Sequence, residues 1–154
     1  MVDVLTPQQR SFNMSRVRGQ NTAPELKVRR GLHALGLRFR LHSRELPGRP
    51  DLVLQRFRTA VFVHGCFWHG HKCHLSVMPA TRQVFWRQKI EGNIARDQAA
   101  LVALHAAGWR VVVIWECALR GKARLEDQEF LENTASFIRH TKGVLSVIEG
   151  RRSV

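Results

Sequence analysis

"PDLVLQRFRTAVFVHGCFWHGHKCH", residues 50 to 74, decides the fold. Asp51-Leu-Val-Leu-Gln55 and Thr59-Ala-Val-Phe-Val63 are short apolar runs separated by Arg56-Phe57-Arg58. Runs of that length and composition on either side of a polar break read as two strands. Pro50 is tolerated at the start of the first because it need not donate to a ladder. The second strand leads into HGCFWHGHKCH, residues 64 to 74, which has neither the period of a strand nor that of a helix. It holds four histidines, two cysteines, a phenylalanine and a tryptophan in eleven positions, so it reads as a loop built around chemistry.

Outward from this centre the remaining elements follow. Toward the C-terminus, a long helical stretch runs from about Thr81 to Ala107, with a bend expected at Gly92 and a stop at Gly108. Trp109 to Trp115 is a continuous apolar run, the pattern of a strand with neighbours on both sides. A last helix spans about Leu125 to His140, and the segment after Gly143 reads as a short strand or an unstructured tail. Toward the N-terminus, Thr22 suits a helix N-cap, Pro24 the first turn and Glu25 the capping-box position. Val28, Leu32 and Leu35 follow at helical spacing, and Gly36 ends the helix. Leu37, Phe39 and Leu41 alternate with Arg38, Arg40 and His42, which predicts a half-buried strand. The order helix, strand, strand, strand, helix, strand, helix predicts a single α/β domain, a mixed central sheet flanked by helices. Residues 1–20 are set apart as a basic N-terminal arm, 21–142 as the domain and 143–154 as a C-terminal tail.

The length of 154 residues suits one domain, and 44% hydrophobic residues suffice for a core. No apolar run approaches the roughly 18 residues of a membrane span. The first residues lack the apolar segment of a secretory signal, so a cytoplasmic location and no membrane partner are expected. Lys+Arg number 25 against 12 Asp+Glu, a net charge of +13. Such an excess repels itself unless an anionic partner uses it, and nucleic acid is the usual one.

The odd cysteine count, Cys66, Cys73 and Cys117, argues against a disulfide framework. With His71 the three suit a closed tetrahedral zinc site, which is structural because no coordination position is left open. His74 would serve as well as His71 by spacing, and free buried thiols are the rival reading. The paired Cys and His spacing of a zinc finger is absent, as are the His-x-Glu and Pro-Cys-x-x-Cys of a nucleobase deaminase.

Hydrolysis of a phosphodiester needs a divalent cation, a placed water and help for the leaving oxygen. Asp51 offers a hard oxygen for magnesium, and the backbone carbonyl of Val63 a second. His69 brings an imidazole, the side chain suited to proton abstraction at physiological pH. The rival readings are a turn carboxylate and a spare zinc ligand. Pro-Asp at a strand start also resembles the core of restriction-type nucleases, but the acidic residue and lysine usual on their second strand are absent from Val61 to Gly65.

Four spaced motifs, "PGRPDLV", "VFVHGCFWHGHKCH", "PATR…FW…KI…N…RD" and "GWRVVVIWECALRG", together resemble the very-short-patch repair endonucleases of bacteria. The resemblance runs from about Asn13-Met14 to Gly121. It implies a restriction-endonuclease-like fold with a structural zinc, and magnesium-dependent nicking of one strand beside the T of a T·G mismatch left by deaminated 5-methylcytosine. It implies that Asp51 and the carbonyl of Val63 bind magnesium, with Val63 standing where relatives often carry threonine. His69 becomes the general base, while Glu25, His64 and Asp97 support the cation site and the imidazoles. Cys66, His71, Cys73 and Cys117 become the zinc ligands.

Phe67 and Trp68 are adjacent rings in a loop, and rigid rings can enter a base step at a cost of a few kcal/mol. A mismatched step opens more cheaply than a paired one. By resemblance Trp86 joins this wedge, and Met14 inserts from the opposite groove. The rival for Trp86 is packing beside Ile90. Lys89, Asn93 and Asp97 form one row on a continuous helix, which lets Lys89 and Asn93 reach groove edges. The expected partner is duplex DNA with a T·G mismatch, bound by a monomer, with the help of mismatch-repair proteins left open. Two alternatives remain: a zinc-bearing DNA-binding module without catalysis, and a restriction endonuclease acting on paired sites.

Overall fold

The protein is described here by a computed structural model that covers residue 8 and residues 20–152. Met14 lies outside the described residues. The elements, in chain order, are helix α1 (Ala23–Ala34), strands β1 (Arg40–Leu41), β2 (Leu52–Leu54) and β3 (Thr59–His64), helix α2 (Gln83–Ala106), strand β4 (Arg110–Trp115), helix α3 (Asp127–His140) and strand β5 (Leu145–Ile148). They form a single α/β domain around one five-stranded sheet in the order β1-β2-β3-β4-β5. The sheet is mixed. β1, β2 and β3 pair antiparallel through a short connection, whereas β3, β4 and β5 are parallel because a helix carries the chain back between them.

Side chains alternate across the sheet and bury against helices on both faces. Leu52, Leu54, Val61, Val112 and Ile114 meet Val28 and Leu32 of α1 and Phe130 and Ile138 of α3. Val53, Ala60, Phe62 and Val111 meet Leu104 of α2 and Trp109 on the other face. This two-sided cover explains why β3 and β4 read as unbroken apolar runs.

Local chemistry sets the ends. The Thr22 side chain accepts from the Glu25 N–H, and a proline stands in the first turn of α1. Three details refine the reading of the sequence. The strand read over Leu37 to Leu41 shrinks to two residues, because the Leu37 N–H bonds back to the Leu32 carbonyl and extends the helix end. α2 runs unbroken through Gly92, with no proline to interrupt its ladder. The segment after Gly143, set apart as a tail that reads as a short strand or as unstructured, supplies the edge strand β5 paired with β4.

Candidate active site and metal centre

The strand ends converge on a corner built around Asp51. The Asp51 Oδ2 accepts the Val63 N–H at 2.7 Å. In a strand a residue's N–H and C=O leave by the same edge, so the Val63 carbonyl faces the Asp51 side as well. Extending the pairing Leu52↔Val61 by two residues brings Pro50 opposite Val63. Proline has no N–H to donate, so the ladder stops and that carbonyl is left for another partner.

Glu25 enters the corner from the first turn of α1, only 2% exposed. Its Oε2 accepts the Asn21 N–H at 2.7 Å, and its Oε1 pairs with His42 Nε2. His42 in turn donates its backbone N–H to the Asp51 carbonyl at 3.1 Å. One ligand atom from each of Glu25, His42 and Asp51 lies within 4.8 Å of the others. Burial pushes the Asp51 carboxyl up to about 6; the Val63 amide opposes this, Glu25 adds to it, and His42 and His69 act against it. A buried carboxylate beside a second carboxylate, with a backbone carbonyl on the same strand edge, is a hard-oxygen set that fits a divalent cation. His42 was not singled out in the sequence, where it stood as one polar position of an alternating strand.

A second group faces this corner. His69 Nδ1–H donates to Asp97 Oδ2 at 2.6 Å. The bond holds the proton on Nδ1 and leaves Nε2 as a bare acceptor. Asp97 reaches it from the middle of α2, on the continuous row predicted with Lys89 and Asn93. The His69 ring stacks on His64 with centroids 3.8 Å apart and planes 2° apart. Burial, then the neighbouring His69, lowers the His64 pKa to about 4, against a smaller pull from Asp97. His64 is therefore a neutral plate that fixes the plane of His69.

The third group is the cysteine cluster. Cys66, His71, Cys73 and Cys117 each bring one ligand atom within 4.8 Å of the rest. None of the cysteines forms a disulfide. His74 is not part of the cluster; Gly121 passes so close to its Nε2 that a Cβ there would stand at 2.6 Å. Tetrahedral zinc with ligand distances of about 2.0–2.3 Å puts neighbouring ligand atoms about 3.5 Å apart. Cys117 Sγ and His71 Nδ1 stand 3.7 Å apart, so the donor set fits a tetrahedral ion. Burial pushes the Cys66 and Cys117 thiols up. Backbone donors partly answer this: the Cys117 N–H lies 3.3 Å from Cys66 Sγ, and the Gly150 N–H 3.2 Å from Cys117 Sγ. Glu149, in the segment read as tail, accepts from His71 Nε2–H at 2.9 Å. The sequence carried no signal for it, since nothing local links residue 149 to residue 71.

The aromatic residues collect beside this loop. Phe67 and Trp68 are half-buried with their rings edge-on at 5.2 Å, and Trp86 packs against both at 5.6 and 5.8 Å. Trp86 is 4% exposed, so it forms the floor under the other two rings. Lys89 Nζ lies 5.9 Å over the Trp68 ring, and Asn93 Nδ2 donates to the Trp68 carbonyl at 2.8 Å. Phe85 packs edge-on against Trp86 at 5.1 Å, and Val77, Met78, Val84 and Phe85 are exposed apolar side chains. Among the described residues no helix is long and apolar enough to cross a membrane.

A mixed sheet, an aspartate at a strand start, a carboxylate-held imidazole and a strongly basic chain fit a DNA endonuclease of the restriction-endonuclease-like class. Comparison with known proteins gives the particular family. The model of the family described as DNA mismatch endonuclease Vsr matches residues 2–75. The DNA mismatch endonuclease Vsr of Escherichia coli K12 is 44% identical over 138 residues, 90% of this chain and 88% of that protein. A type II nicking enzyme of Xanthomonas oryzae pv. oryzae is 51% identical over 126 residues, 82% of this chain and 93% of that protein. A type II nicking enzyme of Neisseria meningitidis serogroup A is 41% identical over 123 residues, 80% of this chain and 88% of that protein. The chain belongs to the DNA mismatch endonuclease Vsr family and is a DNA endonuclease of mismatch repair.

Proposed function

We propose that the protein nicks one strand of duplex DNA beside the T of a T·G mismatch left by deaminated 5-methylcytosine, with magnesium held by Asp51 and the Val63 carbonyl. The single observation that carries this reading is the meeting of two groups from different elements. His69 stands near enough to Asp51 to act on its carboxyl, and with Asp97 bonded at Nδ1 its Nε2 is the nitrogen left for substrate or water. A bound magnesium would supply positive charge to a phosphodiester as its bond to the leaving oxygen breaks. Nε2 of His69 takes the proton of the attacking water, and the Asp97 carboxylate stabilises the imidazolium that results. His64 keeps that ring in plane, while Glu25 and His42 hold the Asp51 corner together.

The cysteine cluster would hold a structural zinc through Cys66, His71, Cys73 and Cys117, tying the loop after β3 to the end of β4. That tether holds Phe67 and Trp68 as a preformed wedge, with Trp86 as its floor, ready to enter the weakened base step. Lys89 and Asn93 flank Trp68, where they reach groove edges, and Met14 would enter from the opposite groove. Phosphate contacts by the many arginines add affinity that falls steeply with salt.

The test is a panel of duplexes bearing T·G, T·A or C·G at one position in varied flanking sequence, with magnesium. Nicking confined to T·G duplexes, lost in Asp51→Ala while mismatch binding persists, is the expected result. Equal cleavage of paired and mismatched duplexes would overturn the mismatch reading in favour of a restriction endonuclease.

A further inference from the structure

The chain makes a last pass over the cysteine cluster after β5 ends. Glu149 Oε2 accepts the Nε2–H of His71 at 2.9 Å. One residue on, the Gly150 N–H lies 3.2 Å from Cys117 Sγ. One further, the Arg151 N–H donates to the Ala123 carbonyl at 2.7 Å, and its guanidinium reaches Glu129 of α3 at 2.7 Å. Three successive residues thus bind the His71 imidazole, the Cys117 sulfur and the loop behind them. The passage is tight. A Cβ on Gly150 would stand 2.5 Å from the Cys117 carbonyl and 2.8 Å from the Ala123 carbonyl, both backbone atoms that cannot swing aside.

We propose that Glu149 and Gly150 form an outer clamp on the metal centre, with Glu149 as a positioning residue that orients His71 for the ion. The physics is that of a carboxylate behind a ligating histidine. A proton held on Nε2 forces the lone pair onto Nδ1, which is the nitrogen facing Cys117. The negative charge behind the ring also makes Nδ1 a stronger donor, and such partners are worth about 10- to 100-fold in metal affinity. The Gly150 N–H contributes from the other side by bonding a sulfur that carries charge when metallated. The clamp closes the cluster from the side where Lys72, Arg151 and Arg152 line an open groove. The inference rests on the zinc reading above.

The experiment uses the full, zinc-loaded chain and a chromogenic chelator in excess, and reads the rate of zinc release. Glu149→Ala should release zinc about 10- to 100-fold faster than wild type. Glu149→Gln, whose amide oxygen still accepts the Nε2–H, should fall between the two. With cobalt in place of zinc, Glu149→Ala should shift the ligand-field bands, because the His71 ring is no longer held. Glu132→Ala, on the exposed face of α3, serves as the control and should match wild type. Gly150→Ala should also speed release; if it does not fold, the Glu149 pair decides. Release from Glu149→Ala at the wild-type rate, or no difference between Gln and Ala, overturns the clamp. A folded wild-type chain that holds no zinc overturns the zinc reading itself, so the two failures are distinct.

Discussion

His64 and His69 lie face to face, their ring centroids 3.8 Å apart and their planes within 2°. Only one of them can usefully hold a proton. His64 is buried with its pKa lowered to about 4, so it stays neutral, and the nearby carboxylate bonds His69 instead. His69→Ala should lower the nicking rate about 10²- to 10⁴-fold with little change in duplex binding. Asp97→Asn should cost at least about tenfold, because the amide no longer stabilises the imidazolium. Single-turnover rates beside binding curves separate these effects; equal losses in rate and affinity would contradict the assignment.

Asp51 carries a cost that shows in stability. Its carboxyl is raised from 3.8 to about 6, so between those values the folded protein binds more protons than the unfolded chain. Stability of the metal-free protein therefore falls as pH rises through that window. At neutral pH a charged Asp51 is destabilising by an amount on the order of 1–3 kcal/mol. Asp51→Asn should raise the metal-free Tm at pH 7.5, and the gain should vanish below about pH 4. Thermal melts across pH with chelator present check this, and a Tm unaffected by the substitution at pH 7.5 would refute it.

The same proton competes with the cation. Magnesium affinity should fall about tenfold per pH unit below about pH 6 and be nearly flat above it. Titration calorimetry on folded protein at pH 5 and pH 7.5 measures it directly. Affinity insensitive to pH across that range would place the cation elsewhere.

The cysteine cluster makes a structural prediction. Elemental analysis should give about one zinc per chain, and Cys117→Ala should lower Tm sharply, since it removes a buried member of the cluster that joins β4 to the loop after β3. Cys117→Ala with a wild-type Tm and full zinc content would exclude Cys117 as a ligand.

Wedge and floor should separate by readout. Trp86→Ala should destabilise the fold by about 3–5 kcal/mol, because the ring is 4% exposed. Phe67→Ala and Trp68→Ala remove half-buried rings and should cost far less stability. They should erase most of the preference for T·G over T·A duplexes in equilibrium binding. A preference unchanged in the Phe67→Ala, Trp68→Ala double variant would rule out insertion.

Much of this was legible in the residues. Apolar runs and helical periodicity located β3, β4, α1, α2 and α3 to within a few positions, because each signal is local and each element buries a patterned face. The motif spacing also brought Cys66, His71, Cys73 and Cys117 to notice, since metal ligands must be thiols or imidazoles whatever the fold. Contacts between distant segments were not legible. His42 joins Glu25 and Asp51 through a left-handed backbone turn and a strand pairing, and Glu149 reaches His71 only because β5 runs parallel to β4. The choice between His71 and His74, the burial of Trp86 and the unbroken course of α2 were likewise decided by packing. Spacing along a chain limits which groups can meet nearby. Only the assembled sheet and the helices laid on it determine which groups meet from distant parts of the chain.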